Sequence, residues 1–310
     1  MCGINGFISK NSIMDAQLRI NNMNASLAHR GPDADGEFVS RERKIAMGQR
    51  RLAIVDLDAR SNQPFHLDDD TVIAFNGEIY NYLELRKDIK HVFRTQSDTE
   101  VLASGIKNNG IEWIKECNGM FAFCLLDKIN NQAILARDRL GIKPLYYYYD
   151  KNLFIFSSEI KGILNSGLVK AEFNSEAIDE YLGNRYIREP YTFFKNIYQL
   201  PAGHYITVSS EIEIEIKRYW DLPSEFNLEE EYMEDEIYCS FKDEVNKAIK
   251  RRMLADVTVG AYLSGGVDCL DLLSILSPKI SISAFAVSTA FIRPSISLIS
   301  ACFLSSVLFS

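Results

Sequence analysis

Met1-Cys2-Gly3-Ile4-Asn5-Gly6-Phe7 opens the chain, and Cys2 is its most informative residue. Once Met1 is removed, a single residue carries a thiol and a free α-amine on neighbouring atoms. An α-amine titrates near pH ~7.7–8.0 and a thiol near ~8.5, so both stand close to the working range. That pairs a nucleophile with its own general base. A small second residue is common, however, and Cys2 alone decides nothing. The rest of the chain has to supply a site around it.

From Met1 to about Trp220 the sequence reads as short strands broken by turns. Ile45-Ala46-Met47 and Leu52-Ala53-Ile54-Val55 bracket a polar Gln49-Arg50-Arg51, and Val72 to Phe75 runs into the turn-forming Asn76-Gly77. Met120 to Leu126, Ala133 to Ala136, Leu145 to Tyr149 and Leu153 to Phe156 follow, rich in aromatic and β-branched side chains. Asp98-Thr99-Glu100-Val101-Leu102 opens a helix with an N-cap candidate and an acidic first turn, and Ser175 to Leu182 is a second helix. Mixed strands and helices over this length predict a layered sheet-and-helix domain.

Asp221-Leu222-Pro223 marks a change. Glu229 to Arg252 carries Tyr232, Ile237, Phe241, Val245, Ala248 and Ile249 at helical spacing, predicting an amphipathic helix that starts a second domain. Val257 to Leu263 reads as a buried strand ahead of Ser264-Gly265-Gly266-Val267-Asp268. From about residue 280 the composition alters again: Arg293 is the only charge and nine serines alternate with apolar residues up to Ser310. Neither uncharged run reaches the ~20 residues of a membrane span. The expectation is an atypical tail that did not arise from selection for this fold, such as a shifted reading frame.

At 310 residues the length favours about two domains. A 47% hydrophobic and 25% charged composition is that of an ordinary globular protein. The net charge of −8 argues against nucleic-acid or anionic-membrane partners. Cys2, Cys117, Cys124, Cys239, Cys269 and Cys302 are scattered without metal or disulfide-scaffold spacing. No metal site is expected, no secretory leader is visible, and a reducing cytoplasm is the expected setting.

Four segments bear chemistry beyond Cys2: Ala28-His29-Arg30-Gly31-Pro32-Asp33, Arg51 to Val55, Asn76-Gly77-Glu78-Ile79-Tyr80-Asn81, and Ser97-Asp98-Thr99-Glu100. An amide hydrolase acting on a free amino acid needs a nucleophile, a cation for the α-carboxylate, an anion for the α-ammonium and two oxyanion donors. Arg51 has the fork-shaped donor and Asp98 the anion. The Asn76 amide and the Gly77 N–H form a candidate oxyanion hole. Taken singly each has a plain reading: Asn-Gly as a turn, Asp98 as an N-cap, Arg51 as a solvated or ion-paired surface group.

Together, and in this order, these segments resemble the glutaminase domain of class II, N-terminal-nucleophile amidotransferases. Ala136-Arg137-Asp138-Arg139-Leu140-Gly141-Ile142-Lys143-Pro144-Leu145-Tyr146-Tyr147 and Ser157-Ser158-Glu159-Ile160-Lys161 narrow the resemblance to glutamine-hydrolysing asparagine synthetases. It covers about Cys2 to Asp268. The implied fold is an α+β N-terminal-nucleophile layered sandwich, helices flanking two antiparallel sheets, over 2–220. The start of an α/β ATP-pyrophosphatase-type domain follows over 229–310. The resemblance implies that Cys2 attacks the glutamine carbonyl and its α-amine shuttles the proton. It further implies that Arg51 holds the carboxylate, Glu78 and Asp98 the amino end, and Asn76 and Gly77 the oxyanion. Leu52, Ile54 and Val55 would line the pocket. Arg30 and the 137–147 segment read as structural or interdomain.

Behind this domain, Ser264-Gly265-Gly266-Val267-Asp268 has the physics of a phosphate-cradling loop. It resembles the pyrophosphate loop of the synthetase half, where ATP with Mg2+ adenylates aspartate and ammonia displaces AMP. Leu263, Ser264, Gly265, Gly266 and Asp268 are the implied ATP contacts. The pattern then departs, since Asp268 is followed by Cys269-Leu270-Asp271 where the family has Asp-Ser. Only 42 residues follow Asp268, whereas one strand–helix–strand unit takes ~30 or more. An intact glutaminase half with an incomplete synthetase half is therefore expected. The implied partners are glutamine, aspartate and ATP, and a homodimer is compatible. Two alternatives stay open: another class II amidotransferase, making an amino sugar or a phosphoribosylamine, and an inactive family remnant.

Overall fold

The computed structural model describes residues 1–223 and 234–260, and its first 220 residues resolve into two six-stranded antiparallel sheets. The first runs β10 (Ile197–Gln199), β8 (Tyr146–Tyr149), β9 (Leu153–Ser157), β1 (Gly3–Ser9), β3 (Ile45–Arg51), β2 (Ala34–Val39). The second runs β12 (Ile214–Arg218), β11 (His204–Ser209), β7 (Gln132–Arg137), β6 (Gly119–Asp127), β5 (Thr71–Ile79), β4 (Phe65–His66).

Because successive strand residues point to opposite faces, each sheet is apolar on both sides and is covered on both. Ile4, Ile8, Met47 and Phe156 of the first sheet meet Val72, Ala74, Ala122 and Leu135 of the second in a core between the sheets. The outer face of the first sheet, with Phe7, Ala46 and Ile155, packs on Ile20 and Met23 of α1 (Ala16–Ser26) and Ile163 of α4 (Ile160–Asn165). The outer face of the second, with Ile73, Phe75 and Phe123, packs on Leu102 and Ile106 of α3 (Asp98–Asn109). α2 (Tyr82–Asp88) and α5 (Glu176–Asn184) complete the helices of this unit. The result is the layered sandwich that the resemblance implies.

Local differences from the sequence reading have physical causes. Gln49-Arg50-Arg51 is not a break between strands; it is the end of β3, where Gln49 and Arg50 pair with both β1 and β2 and Arg51 with β2 alone. Leu52 to Val55 is the loop that leaves that strand, since its first two N–H groups go to side chains, Leu52 to Cys2 Sγ and Ala53 to Asp33 Oδ2. Asn76-Gly77 is likewise no turn, because β5 continues through it opposite Ala122 and Phe121 of β6. Its glycine answers a close approach: a Cβ at Gly77 would lie 2.3 Å from the Met120 carbonyl oxygen. α3 is capped by Ser97, whose Oγ accepts from Glu100 N–H at 3.3 Å. Asp98 is thereby the first helical residue, free to turn its carboxylate elsewhere.

The chain divides into two units at Leu228/Glu229. Among the described residues the second unit is α6 (Glu234–Arg252) and the stretch up to Gly260. Val257 to Gly260, expected to begin a buried strand, pairs with no strand among the described residues. Ile237, Tyr238 and Phe241 of α6 are exposed there. The phosphate-loop candidates Leu263, Ser264, Gly265, Gly266 and Asp268, and the tail from 280, lie outside the described residues. No described helix is long and apolar enough to cross a membrane.

Candidate active site

Cys2 immediately precedes β1, at the end of the sandwich where β5 and the loop after β3 converge on a cavity of about 150 Å³. Arg51, Leu52, Ile54 and Val55 line one side of it. Asn76, Gly77 and Glu78 of β5 and Asp98 of α3 line the other. The candidate glutaminase residues, drawn from four separated segments, are thus brought together.

Cys2 is held from both ends. Its Sγ accepts the Leu52 N–H at 3.3 Å. Its carbonyl accepts from Arg30 Nε at 2.8 Å, and Arg30 Nη1 in turn donates to Glu159 Oε1 at 2.8 Å. Glu159 also receives His29 Nε2 at 2.9 Å and Lys161 Nζ at 3.0 Å. Burial works to raise this carboxyl, but the bonds from Arg30, Lys161 and His29 outweigh it and bring it to about 2. Next to it, Ser158 exchanges two hydrogen bonds with the backbone of Ile4, at 3.0 and 2.8 Å. With Ser158 and Glu159, Arg30 fixes the backbone on either side of Gly3.

Burial raises the Cys2 thiol above its ordinary value, against the Leu52 bond and the N-terminal charge. The amine of Met1, one residue ahead, moves the other way, lowered by burial and by the charges of Lys143 and Arg30, against Cys2 and Asp33. A protonated thiol has to lose its proton to a base before it can attack a carbonyl.

Asn76 continues the row Val72, Ala74 on the face of β5 that looks toward the first sheet. It is fully buried, and neither its Oδ1 nor its Nδ2 has a partner among the described residues. An unpaired buried amide costs ~1–3 kcal/mol, so a polar group offered into the cavity is a standing demand for a ligand atom.

Asp98 accepts the Ile79 N–H at 3.0 Å. Burial, with the nearby Glu78 charge adding, pushes its carboxyl up to about 7. Glu78 is itself raised by burial, against the attraction of Lys143 and the N-terminal amine. Two crowded carboxyls that are costly to ionise together are stabilised by any cation placed between them.

Arg51 differs from its expected form. It is buried, and its Nη1 donates to Asn62 Oδ1 at 2.7 Å and to the Asp58 carbonyl at 3.3 Å. Nη2 donates to the carbonyls of Val55, at 3.3 Å, and Asp56. The fork that would meet a ligand carboxylate is already shared with the chain, and it folds the Leu52–Asn62 loop that supplies the cavity wall.

Lys143 also lines the cavity, although its segment reads from sequence as structural or interdomain. Asp138 gathers the N–H groups of Phe121, Leu140, Ile142 and Lys143 at 2.9–3.1 Å and so turns the chain to deliver that lysine. The only signal in the sequence is a lysine among the turn and apolar residues Gly141, Ile142 and Pro144. Of the other described cysteines, Cys117 and Cys124 are buried with thiols raised by burial, Cys117 to about 12, and Cys239 is exposed on α6. Among the described residues no group of His, Cys, Asp or Glu is arranged to hold a metal.

A glutamine amidotransferase domain model matches residues 1–220, the whole of this sandwich. The chain belongs to the glutamine amidotransferase family. An asparagine synthase model matches residues 240–292, reaching into the tail whose composition departs from the rest. This amidotransferase is 38% identical over 298 residues to a putative glutamine-hydrolysing asparagine synthetase 2 of Methanocaldococcus jannaschii, covering 89% of this chain and 57% of that protein. Asparagine synthetase 1 of Bacillus subtilis is 34% identical over 282 residues, covering 89% of this chain and 44% of that one. The chain spans about half the length of these relatives. The glutamine phosphoribosylpyrophosphate amidotransferase structure from B. subtilis superposes with a TM-score of 0.54 at 17% identity, over 97% of this chain and 70% of that one. That likeness concerns the fold.

Proposed function

We propose that the 2–220 domain hydrolyses glutamine to glutamate and ammonia, with Cys2 as nucleophile. The Cys2 Sγ attacks the side-chain carbonyl while the Cys2 α-amine takes the thiol proton. Asn76 and the Gly77 N–H hold the oxyanion. The proton passes to the departing nitrogen as the carbon–nitrogen bond breaks, and water then cleaves the thioester. Glu78 and Asp98 hold the α-ammonium, and Arg51 offers its charge and shared donors to the α-carboxylate. The observation that carries this reading is the unpartnered, fully buried Asn76 amide opening on the same cavity as Cys2. Release of glutamate and ammonia from glutamine tests it. Parent protein lacking Met1 is active and Cys2→Ala is not; equal release by both defeats the assignment.

For the whole protein we propose an asparagine synthetase of the cytoplasm, with a domain from about residue 229 that uses ammonia. There ATP with Mg2+ would adenylate aspartate, the phosphates held by Ser264, Gly265, Gly266 and Asp268 with Leu263 near the nucleotide. The support is the asparagine synthase match over 240–292 and the names of the relatives. Because the asparagine synthase match extends only over 240–292, the test is aspartate-dependent release of pyrophosphate from ATP by a protein carrying the synthetase half complete. Pyrophosphate release indifferent to aspartate would remove aspartate as the acceptor.

A further inference from the structure

Lys143 has no part in the glutamine site as drawn so far, yet it is the least explained charge in the cavity. It is only 4% exposed. It lines the same cavity as Cys2 and Met1, and among the described residues its ammonium makes no hydrogen bond or ion pair. Its backbone, by contrast, is firmly fixed: the N–H donates to Asp138 Oδ2 at 2.9 Å and the carbonyl accepts from Arg137 Nε at 2.9 Å. A buried ammonium without a partner is costly, and a turn braced by two buried side chains puts it there. Packing alone would be served by an uncharged chain of the same length.

We propose that Lys143 is a positioning residue of electrostatic kind, whose cation keeps the Cys2 α-amine in its neutral, proton-accepting form at neutral pH. The proposal rests on the glutaminase reading above. The charged groups that face the amine and the thiol are Lys143 after β7, Arg30 and Asp33 before β2, Glu78 of β5 and Asp98 of α3. The carboxylates of this set favour a protonated amine, whereas Arg30 and Lys143 oppose it. Arg30 is already paired with Glu159 at 2.8 Å, whereas Lys143, itself lowered by burial, faces the Glu78 and Asp138 charges without an ion pair to either among the described residues. A cation in a low-dielectric pocket disfavours a second positive charge beside it and favours the thiolate that forms as the proton leaves. The same positive field does not hinder the proton's onward passage to the leaving nitrogen, which departs as neutral ammonia. Before processing the N-terminal amine is that of Met1, one residue ahead of Cys2 in the same cavity; burial lowers it first, and among the charges Cys2 raises it while Lys143 and Arg30 lower it.

The test is the pH profile of kcat/KM for glutamine hydrolysis in the full chain lacking Met1, for parent, Lys143→Met and Lys143→Arg. Intact mass confirms Met1 removal in each. Without the cation the amine holds its proton to higher pH, so in Lys143→Met the acid limb moves up by about one pH unit. At pH 7 that is a loss of about tenfold, recovered toward pH 9, while Lys143→Arg stays on the parent profile. A Lys143→Met profile that superimposes on the parent overturns the proposal. So does a raised KM with an unmoved acid limb, which would make Lys143 a carboxylate-holding group instead. Glutamate release by the parent, and its absence in Cys2→Ala, reports separately on the underlying glutaminase reading.

Discussion

Asn76→Ala separates catalysis from stability with opposite signs. The Asn76 amide is fully buried and both its polar atoms lack partners among the described residues. In the resting fold it therefore carries an unpaid desolvation of ~1–3 kcal/mol. Truncation removes that penalty, and the space it leaves opens onto an existing cavity rather than creating an enclosed one. The thermal midpoint of Asn76→Ala is thus expected to match or exceed that of the parent; a gain of 1 kcal/mol in a domain of this size is ~2–4 °C. Catalysis moves the other way. Loss of one oxyanion donor costs ~2.7–4 kcal/mol in the transition state, a 10²–10³-fold fall in kcat, and KM changes little because the ground-state amide demands less of the donor. Calorimetry and a glutamate-release assay on the same sample decide it. A variant within severalfold of parent kcat, or one that loses several degrees of stability, refutes the oxyanion role.

Asp98 and Glu159 give further tests. The Asp98 carboxyl is held at about 7 against an ordinary 3.8, chiefly by burial. The fold therefore prefers its protonated form, and the stability this group contributes is full below pH ~3.8 and lost as pH rises through about 7. Asp98→Asn, which keeps an acceptor for the Ile79 N–H, is expected to raise the melting temperature at pH 8 more than at pH 5. It also weakens glutamine binding at pH 8, where the anion is lost; an equal thermal shift at both pH values contradicts the burial argument. Glu159→Gln leaves the buried Arg30 without its anion, a loss of ~1.5–3 kcal/mol for a bond to a charged group. The expected result is a roughly tenfold lower kcat with KM within about twofold, partly restored in Glu159→Asp; a KM effect alone would assign Glu159 to substrate binding.

Residue types foretold more of this site than local conformation did. Cys2, Arg51, Asn76, Gly77 and Asp98 are candidates by the chemistry of a free amino-acid amide, each with a plain alternative; the family resemblance joins them and adds Glu78, and one cavity is lined by all six. Their local structures are harder to read. Asn-Gly signals a turn only when no strand lies alongside, and β6 lies alongside β5 through Gly77. Arg51 ends a strand between two others, which its polarity hides. Ser97 rather than Asp98 caps α3, a difference of one residue that frees the Asp98 carboxylate for Ile79. Lys143 and Glu159 are illegible from spacing because each acts across more than a hundred residues of chain, one through a turn built on Asp138 and the other through Arg30. The layered fold, by contrast, follows from short continuous runs of aromatic and β-branched residues broken by turns, since strands covered on both faces are apolar throughout.

The central claim is that Cys2 is the residue glutamine acylates. Labelling with a chloroketone analogue of glutamine, followed by intact mass and peptide mapping, tests it most directly. The account predicts one adduct per chain, on Cys2 of molecules lacking Met1, slowed by added glutamine and abolished in Cys2→Ala. Labelling at Cys117, Cys124 or Cys239 in its place, or glutamine turnover that persists after Cys2 is fully labelled, would contradict it.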